Sequence, residues 1–182
     1  MTGRYGFAVP PDFTDFVDRL ANVSIGATHN QYARSELRRA RLREYLASRA
    51  HASVVLVGEA AGYRGARISG VPFTSERQLT GEGVAEASAT IVQRVLRELG
   101  VVDDMLLWNV VPTHPGTVNS NRRPTRAEVR AARPFLDELT RGRRVIAVGR
   151  LAAEVLAAPY VRHPSHGGAA MFAEGLRRTL AA

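Results

Sequence analysis

Val54-Val55-Leu56-Val57-Gly58-Glu59-Ala60-Ala61-Gly62, running on through a loop to Gly70-Val71-Pro72-Phe73, decides how the rest of this chain is read. Four β-branched or apolar residues in succession, bounded by glycine, predict a buried strand over about 53–58. A strand buried on both faces belongs to a parallel sheet with helices on each side. Ligands of such sheets sit beyond the carboxyl ends of the strands. Glu59 stands at that end, so position alone makes it a candidate site residue.

Working outward, 105–110 predicts a second buried strand, 143–149 a third, and 160–162 a short fourth that ends at His163. Helical patterns lie between them. Over 81–99, Val84, Ser88, Ile91, Val92, Val95, Leu96 and Leu99 recur at helical spacing, and Gly100 supplies a stop. Thr125 with Glu128 forms a capping box for a helix whose inner stripe is Val129, Ala132, Phe135, Leu136 and Leu139. Pro134 falls inside it and is expected to kink or split it. Short helices are expected over 151–157 and 169–180. Upstream, Asp12 caps a helix to about residue 21, with Phe13, Phe16, Val17 and Leu20 on one face. A basic helix over 31–49 carries Leu37, Leu42, Tyr45 and Leu46 as an apolar stripe. Its Arg34, Arg38, Arg39, Arg41 and Arg43 read as a solvated face. Residues 1–11 read as an irregular lead-in. Residues 61–80 read as a loop long enough to suggest function. Alternating strands and helices predict the α/β class: a single three-layer α/β/α domain over residues 1–182, around a central, mostly parallel four-stranded sheet.

Composition narrows the chemistry. The 182 residues contain no cysteine, which excludes disulfides, thiolate zinc sites and iron–sulfur clusters together. No apolar run is long enough to span a membrane and no signal peptide is read, so a soluble cytoplasmic protein is expected. The formal charge is +8 and every basic residue except histidine is arginine. Arginine pairs bidentately with phosphate, and a basic balance favours polyanions, although it also serves plain solubility.

Four motifs stand in a telling order: Gly58-Glu59-Ala60-Ala61-Gly62 with Pro72-Phe73, then Asn109-Val110-Val111, then Asn121-Arg122-Arg123-Pro124-Thr125, then His163-Pro164-Ser165. Together they resemble the uracil-DNA glycosylases, nearest to their iron–sulfur bacterial and archaeal branch, over most of the chain beyond about residue 54. The resemblance implies hydrolysis of the N-glycosidic bond of uracil, or of a related deaminated base, flipped out of DNA. It implies no metal and no cofactor, a monomer, and a bacterial, nucleoid-associated setting. By the same resemblance Glu59 orients water and stabilises the cationic sugar, and His163 donates towards the uracil carbonyl where charge develops. Phe73 stacks on the base and Asn109 reads its edge. Arg122, Arg123 and Ser165 hold phosphates, Thr113 and His114 line the crevice, and Met171 or Phe172 stands in for the missing apolar wedge. The chain departs from the branch in lacking the cluster cysteines, so packing must hold its N-terminal region. Ala61 replaces the usual proline. Gly62 leaves space where some branches place a bulky discriminating residue, which opens the question of thymine.

Each of these residues also has a purely structural role available: Phe73 as core filler, Asn109 bonded to loop backbone, His163 as a satisfied loop histidine, Glu59 as a cap. Two other functions compete. One is a catalytically silent DNA-binding relative. The other is a Rossmann-type nucleotide-binding domain with Gly58, Gly62 and Gly65 as its phosphate loop, although the glycine spacing does not match the dinucleotide fingerprint and the chain has no lysine for a P-loop. His163 with His166 makes a poor metal pair, having no cysteine and no acid beside it.

Overall fold

Residue 56 of the first strand lies between two hydrogen-bonded neighbours, and that pairing sets the architecture. In the computed structural model, which describes residues 12–182, β1 (Val54–Ala60) pairs in parallel with β2 (Met105–Val111) on one side and with β3 (Arg144–Val148) on the other. A short β4 (Tyr160–Val161) pairs in parallel with β3, giving the order β2-β1-β3-β4. All the strand pairs are parallel, where a mostly parallel sheet was expected. The lead-in expected over residues 1–11 lies outside the described residues.

Alternation along the strands divides the core in two. Val55, Val57, Leu106, Trp108, Val110 and Ala147 face a cluster built with α1 (Thr14–Asn22), α2 (Glu36–Ser48) and α6 (Arg126–Thr140). Leu56, Met105, Leu107, Ile146 and Val148 face the opposite cluster, with α5 (Ala87–Glu98) and α8 (Ala169–Ala181). Hence three layers, α/β/α. Helix α1 is held by packing. Phe16 stacks edge-on against Trp108 at 5.7 Å and against Phe135 at 5.5 Å. Arg19 bridges Asp15 and Glu138.

Several boundaries differ from the sequence expectation, each for a physical reason. The helix expected over 31–49 begins only at Glu36, capped by Ser35, because Gln31 and Tyr32 turn inward and are buried. Leu37 is exposed, not part of the stripe. Arg38 and Arg41 do not form a solvated face: Arg38 Nε donates to the Ile68 carbonyl, and Arg41 pairs with Glu76. The stretch 61–80 is not all loop, since it contains α3 (Ala66–Ser69) and α4 (Glu76–Thr80). The helix expected from residue 81 starts at Ala87, which leaves Val84 exposed outside it. Pro134 neither splits α6 nor joins its inner stripe. It lies on the exposed face, where the carbonyl that loses its partner can turn to water. The Thr125–Glu128 capping box forms as expected. Between β3 and β4 lies the short α7 (Arg150–Leu156).

β2 is an edge strand, and edges invite unwanted pairing. Here the Tyr45 hydroxyl of α2 accepts the Leu107 N–H at 2.6 Å.

Candidate active site

The carboxyl ends of the strands open into one cavity of about 450 Å³. Glu59 from β1, Phe73 from the loop between α3 and α4, Asn109 from β2, and His163 from just beyond β4 all line it. Register brings two of them together. Gly58 of β1 is the direct partner of Asn109 in β2. A side chain at residue 58 would run into the Phe73 ring and, at 2.9 Å, the Asn109 amide oxygen. The missing Cβ thus makes the floor on which ring and amide lie side by side.

Phe73 is 8% exposed and belongs to the core cluster on the α5–α8 side, so it fills core and lines the cavity at once. Its φ of 50° is left-handed, a costly conformation for an aromatic residue. Buried hydrogen bonds on either side over-determine it. Ser69 Oγ donates to the Thr74 carbonyl at 2.6 Å, and the Tyr32 hydroxyl donates to the Gly70 carbonyl at 3.0 Å.

Asn109 is 4% exposed, and its amide bonds to no protein group among the described residues. The amide lines the cavity, so its donor and acceptor stand ready for a ligand. It lies two residues inside the end of β2 rather than at the end. Glu59 likewise makes no side-chain hydrogen bond among the described residues, so it is not a cap on loop backbone. Burial pushes its carboxyl above the ordinary value. Arg123 opposes that rise and Glu154 adds to it.

His163 is oriented by its own turn. The Ser165 N–H donates to Nδ1 at 3.2 Å, and Ser165 Oγ lies 2.8 Å from the same nitrogen. Nδ1 therefore keeps a lone pair, and the neutral ring carries its proton on Nε2. Burial, then the neighbouring His166 and Arg162, hold the ring's pKa below the usual histidine value. The neutral donor form is favoured.

The residues expected at phosphates are placed less simply. Arg122 reaches the cavity, but both of its terminal nitrogens bond to the buried Glu128 carboxylate, at 2.8 and 2.6 Å. Ser165 Oγ is shared between His163 and His166. Arg123 is exposed and pairs with the exposed Glu154, outside the cavity lining. Thr113 and His114 are fully buried and do not line the crevice. The His114 ring instead sits between the carbonyls of Ala61 and Thr117, its two nitrogens 2.8 and 2.7 Å from them, where the loops that follow β1 and β2 meet. Phe172 is core and unavailable as a wedge, whereas Met171 is exposed.

Sequence reasoning missed Glu86. It lines the cavity from the residue before α5, and burial pushes its carboxyl up to about 7. Its carboxylate oxygens occupy the space that side chains at residues 62 and 65 would fill. An acid in that notch argues against the phosphate-loop reading of Gly58, Gly62 and Gly65. The glycines serve a ring, an amide and a carboxyl. The spacing of Gly62 and Gly65 was the visible signal, but nothing in it pointed to a partner twenty residues on. No cluster of three or more potential metal ligands occurs among the described residues, and no described helix is long and apolar enough to cross a membrane.

Comparison with known proteins bears on the same region. The family model of the uracil DNA glycosylase superfamily matches residues 46–177. The crystal structure of wild-type SMUG2 from Pedobacter heparinus superposes with a TM-score of 0.64 over 94% of this chain and 99% of that one. At 14% identity the likeness is one of fold. Comparison with curated proteins found no match.

Proposed function

Because this chain belongs to the uracil DNA glycosylase superfamily, we propose that it hydrolyses the N-glycosidic bond of uracil, or of a related deaminated base, flipped out of DNA. Membership carries DNA base excision as the chemical class. Uracil as the base, and the residue roles below, are our reading. The observation that carries it is that Glu59, Phe73, Asn109 and His163, from four separate segments, line one cavity.

Extruding a nucleotide costs a few kcal/mol, and the pocket must recover that cost. Stacking on the Phe73 ring contributes about 1–3 kcal/mol. The Asn109 amide offers a donor and an acceptor to the lactam edge of uracil. As the bond between C1′ and the base nitrogen breaks, its electron pair leaves with the base and negative charge grows on the carbonyl oxygens. The His163 Nε2–H donates there, a contribution of about 3–4 kcal/mol for a preorganised donor. The sugar becomes cationic. Glu59 stabilises it by charge and orients the water whose oxygen bonds to C1′, while the water's proton passes to the carboxylate and on to solvent.

The test is release of free base from duplexes containing uracil or hypoxanthine, read by alkaline cleavage at the abasic site. Release of uracil, with loss of release in N109A, is the expected result. Binding of uracil-containing DNA without release of any base would sink the enzymatic reading in favour of a silent DNA-binding relative.

A further inference from the structure

Glu86 lines the same cavity, and no step of the reaction above uses it. Two glycines are shaped around it. A Cβ at Gly62 would fall on one of its carboxylate oxygens, and a Cβ at Gly65 on the other. At Gly62 no positive φ demands glycine, so room for this carboxyl is the reason the chain shows for it. The segment 81–86 is pinned in a non-helical path that delivers the residue. Arg77 N–H donates to the Val84 carbonyl, and Arg77 Nε donates to the Gly83 carbonyl. The carboxyl forms no hydrogen bond or ion pair with the described residues. A sheltered acid, lodged in a notch of a ligand cavity and free of protein partners, faces whatever fills that cavity.

We propose that Glu86 is a specificity-determining residue: lodged against Gly62 and Gly65, it closes that wall of the base pocket and excludes the extra methyl group of thymine. The proposal rests on reading this cavity as the base pocket. Truncation to alanine removes a carboxymethyl group, more than the volume of the methyl that separates thymine from uracil. One methylene in a close-fitting pocket discriminates by about 10–200-fold. The neutral acid, which burial favours, also supplies a hydroxyl donor beside a carbonyl acceptor, and glutamine preserves that shape.

The experiment measures single-turnover release from duplexes carrying uracil, thymine or hypoxanthine opposite matched partners, for wild type, E86A, E86Q and G62A. E86A should raise the thymine-to-uracil ratio at least tenfold, while E86Q stays within about threefold of wild type. G62A, which pushes a methyl into the carboxyl, should lower uracil release at least tenfold, and E86A in the same chain should restore it. This reciprocal pair decides the matter even if E86A alone folds poorly. An unchanged base ratio in E86A, or a G62A defect that E86A leaves uncorrected, overturns the proposal. Calorimetric binding of free uracil and free thymine separates the two ideas. If wild type releases no base, the enzymatic reading fails, yet gained thymine binding in E86A still supports the wall. Equal thymine binding by wild type and E86A overturns it.

Discussion

Glu59 can act on a cationic sugar only while ionised, and burial makes ionisation harder than in water. Its folded value lies above the ordinary 4.5, and that of His163 lies below 6.5. Glu59 is charged and His163 is a neutral donor only above both of those folded values. The acid limb of kcat/KM should therefore be displaced above the ordinary carboxylate value of 4.5. E59Q should remove that limb and lower base release by about 10²–10⁴-fold while leaving DNA affinity within a few-fold. Pre-steady-state release across pH 4.5–8 measures both. Glu86 makes the opposite case for stability. Its folded value is raised to about 7, so the stability it contributes is complete below about pH 4.5 and is lost as pH rises through 7. The ceiling for such a shift is about 3 kcal/mol. E86Q, which never ionises, should melt progressively higher than wild type as pH is raised from 4.5 to 8. Thermal denaturation at a series of pH values checks this, and a constant difference in melting temperature would deny the burial.

The elements matter here by what they hold still. The Asn121–Thr125 turn carries two adjacent arginines, and the sequence offers no way to tell them apart. Yet Arg122 lies over a buried acid and Arg123 over an exposed one. Glu128 is 2% exposed and its carboxyl is held down to about 2, chiefly by Arg122 and with help from the Thr125 N–H. Removing Arg122 strands a buried charge, which costs about 3 kcal/mol or more. R122A should unfold at markedly lower urea at pH 7, and the double variant R122A/E128Q should recover most of the loss. The native pair is depressed in pKa, so its stabilisation holds above about pH 4.5 and disappears as pH falls through 2. R122A should flatten that acid transition. This contrast shows what was legible in the chain. Strand runs and the α6 capping box could be read because each depends on local pattern, whereas the base-facing role of Phe73 was reached through the family resemblance. The α2–loop clamp could not: Arg38 reaching the Ile68 carbonyl and Arg41 reaching Glu76 join residues about thirty apart, and their spacing alone mimics a solvated face. The same holds for Glu86 and its two glycines. Long-range complementarity between a polar side chain and bare backbone leaves no periodic trace.

Across the whole molecule, a formal charge of +8 with arginine in place of lysine sets how DNA would be engaged. Several of the arginines are engaged within the protein. Arg38, Arg41 and Arg122 serve carboxylates or carbonyls, and Arg143 ties the Ala50 and Ala52 carbonyls to the foot of β3. Arg123 differs. It is exposed, its partner Glu154 is also exposed, and surface pairs of this kind are worth at most about 1 kcal/mol. A phosphate can therefore displace Glu154 at little cost. Each phosphate contact releases a condensed counterion and steepens the decline of affinity with salt. R123A should lower the slope of log affinity against log salt by about one, without changing which base is released or the urea midpoint. R122A should shift the midpoint and leave the slope nearly intact. Fluorescence anisotropy of labelled duplex at 50–300 mM salt, run beside denaturation curves for both variants, distinguishes them. Should R122A flatten the slope while keeping wild-type stability, the assignment of the two arginines is reversed, and the ion pair over Glu128 is a resting place from which Arg122 leaves to meet DNA.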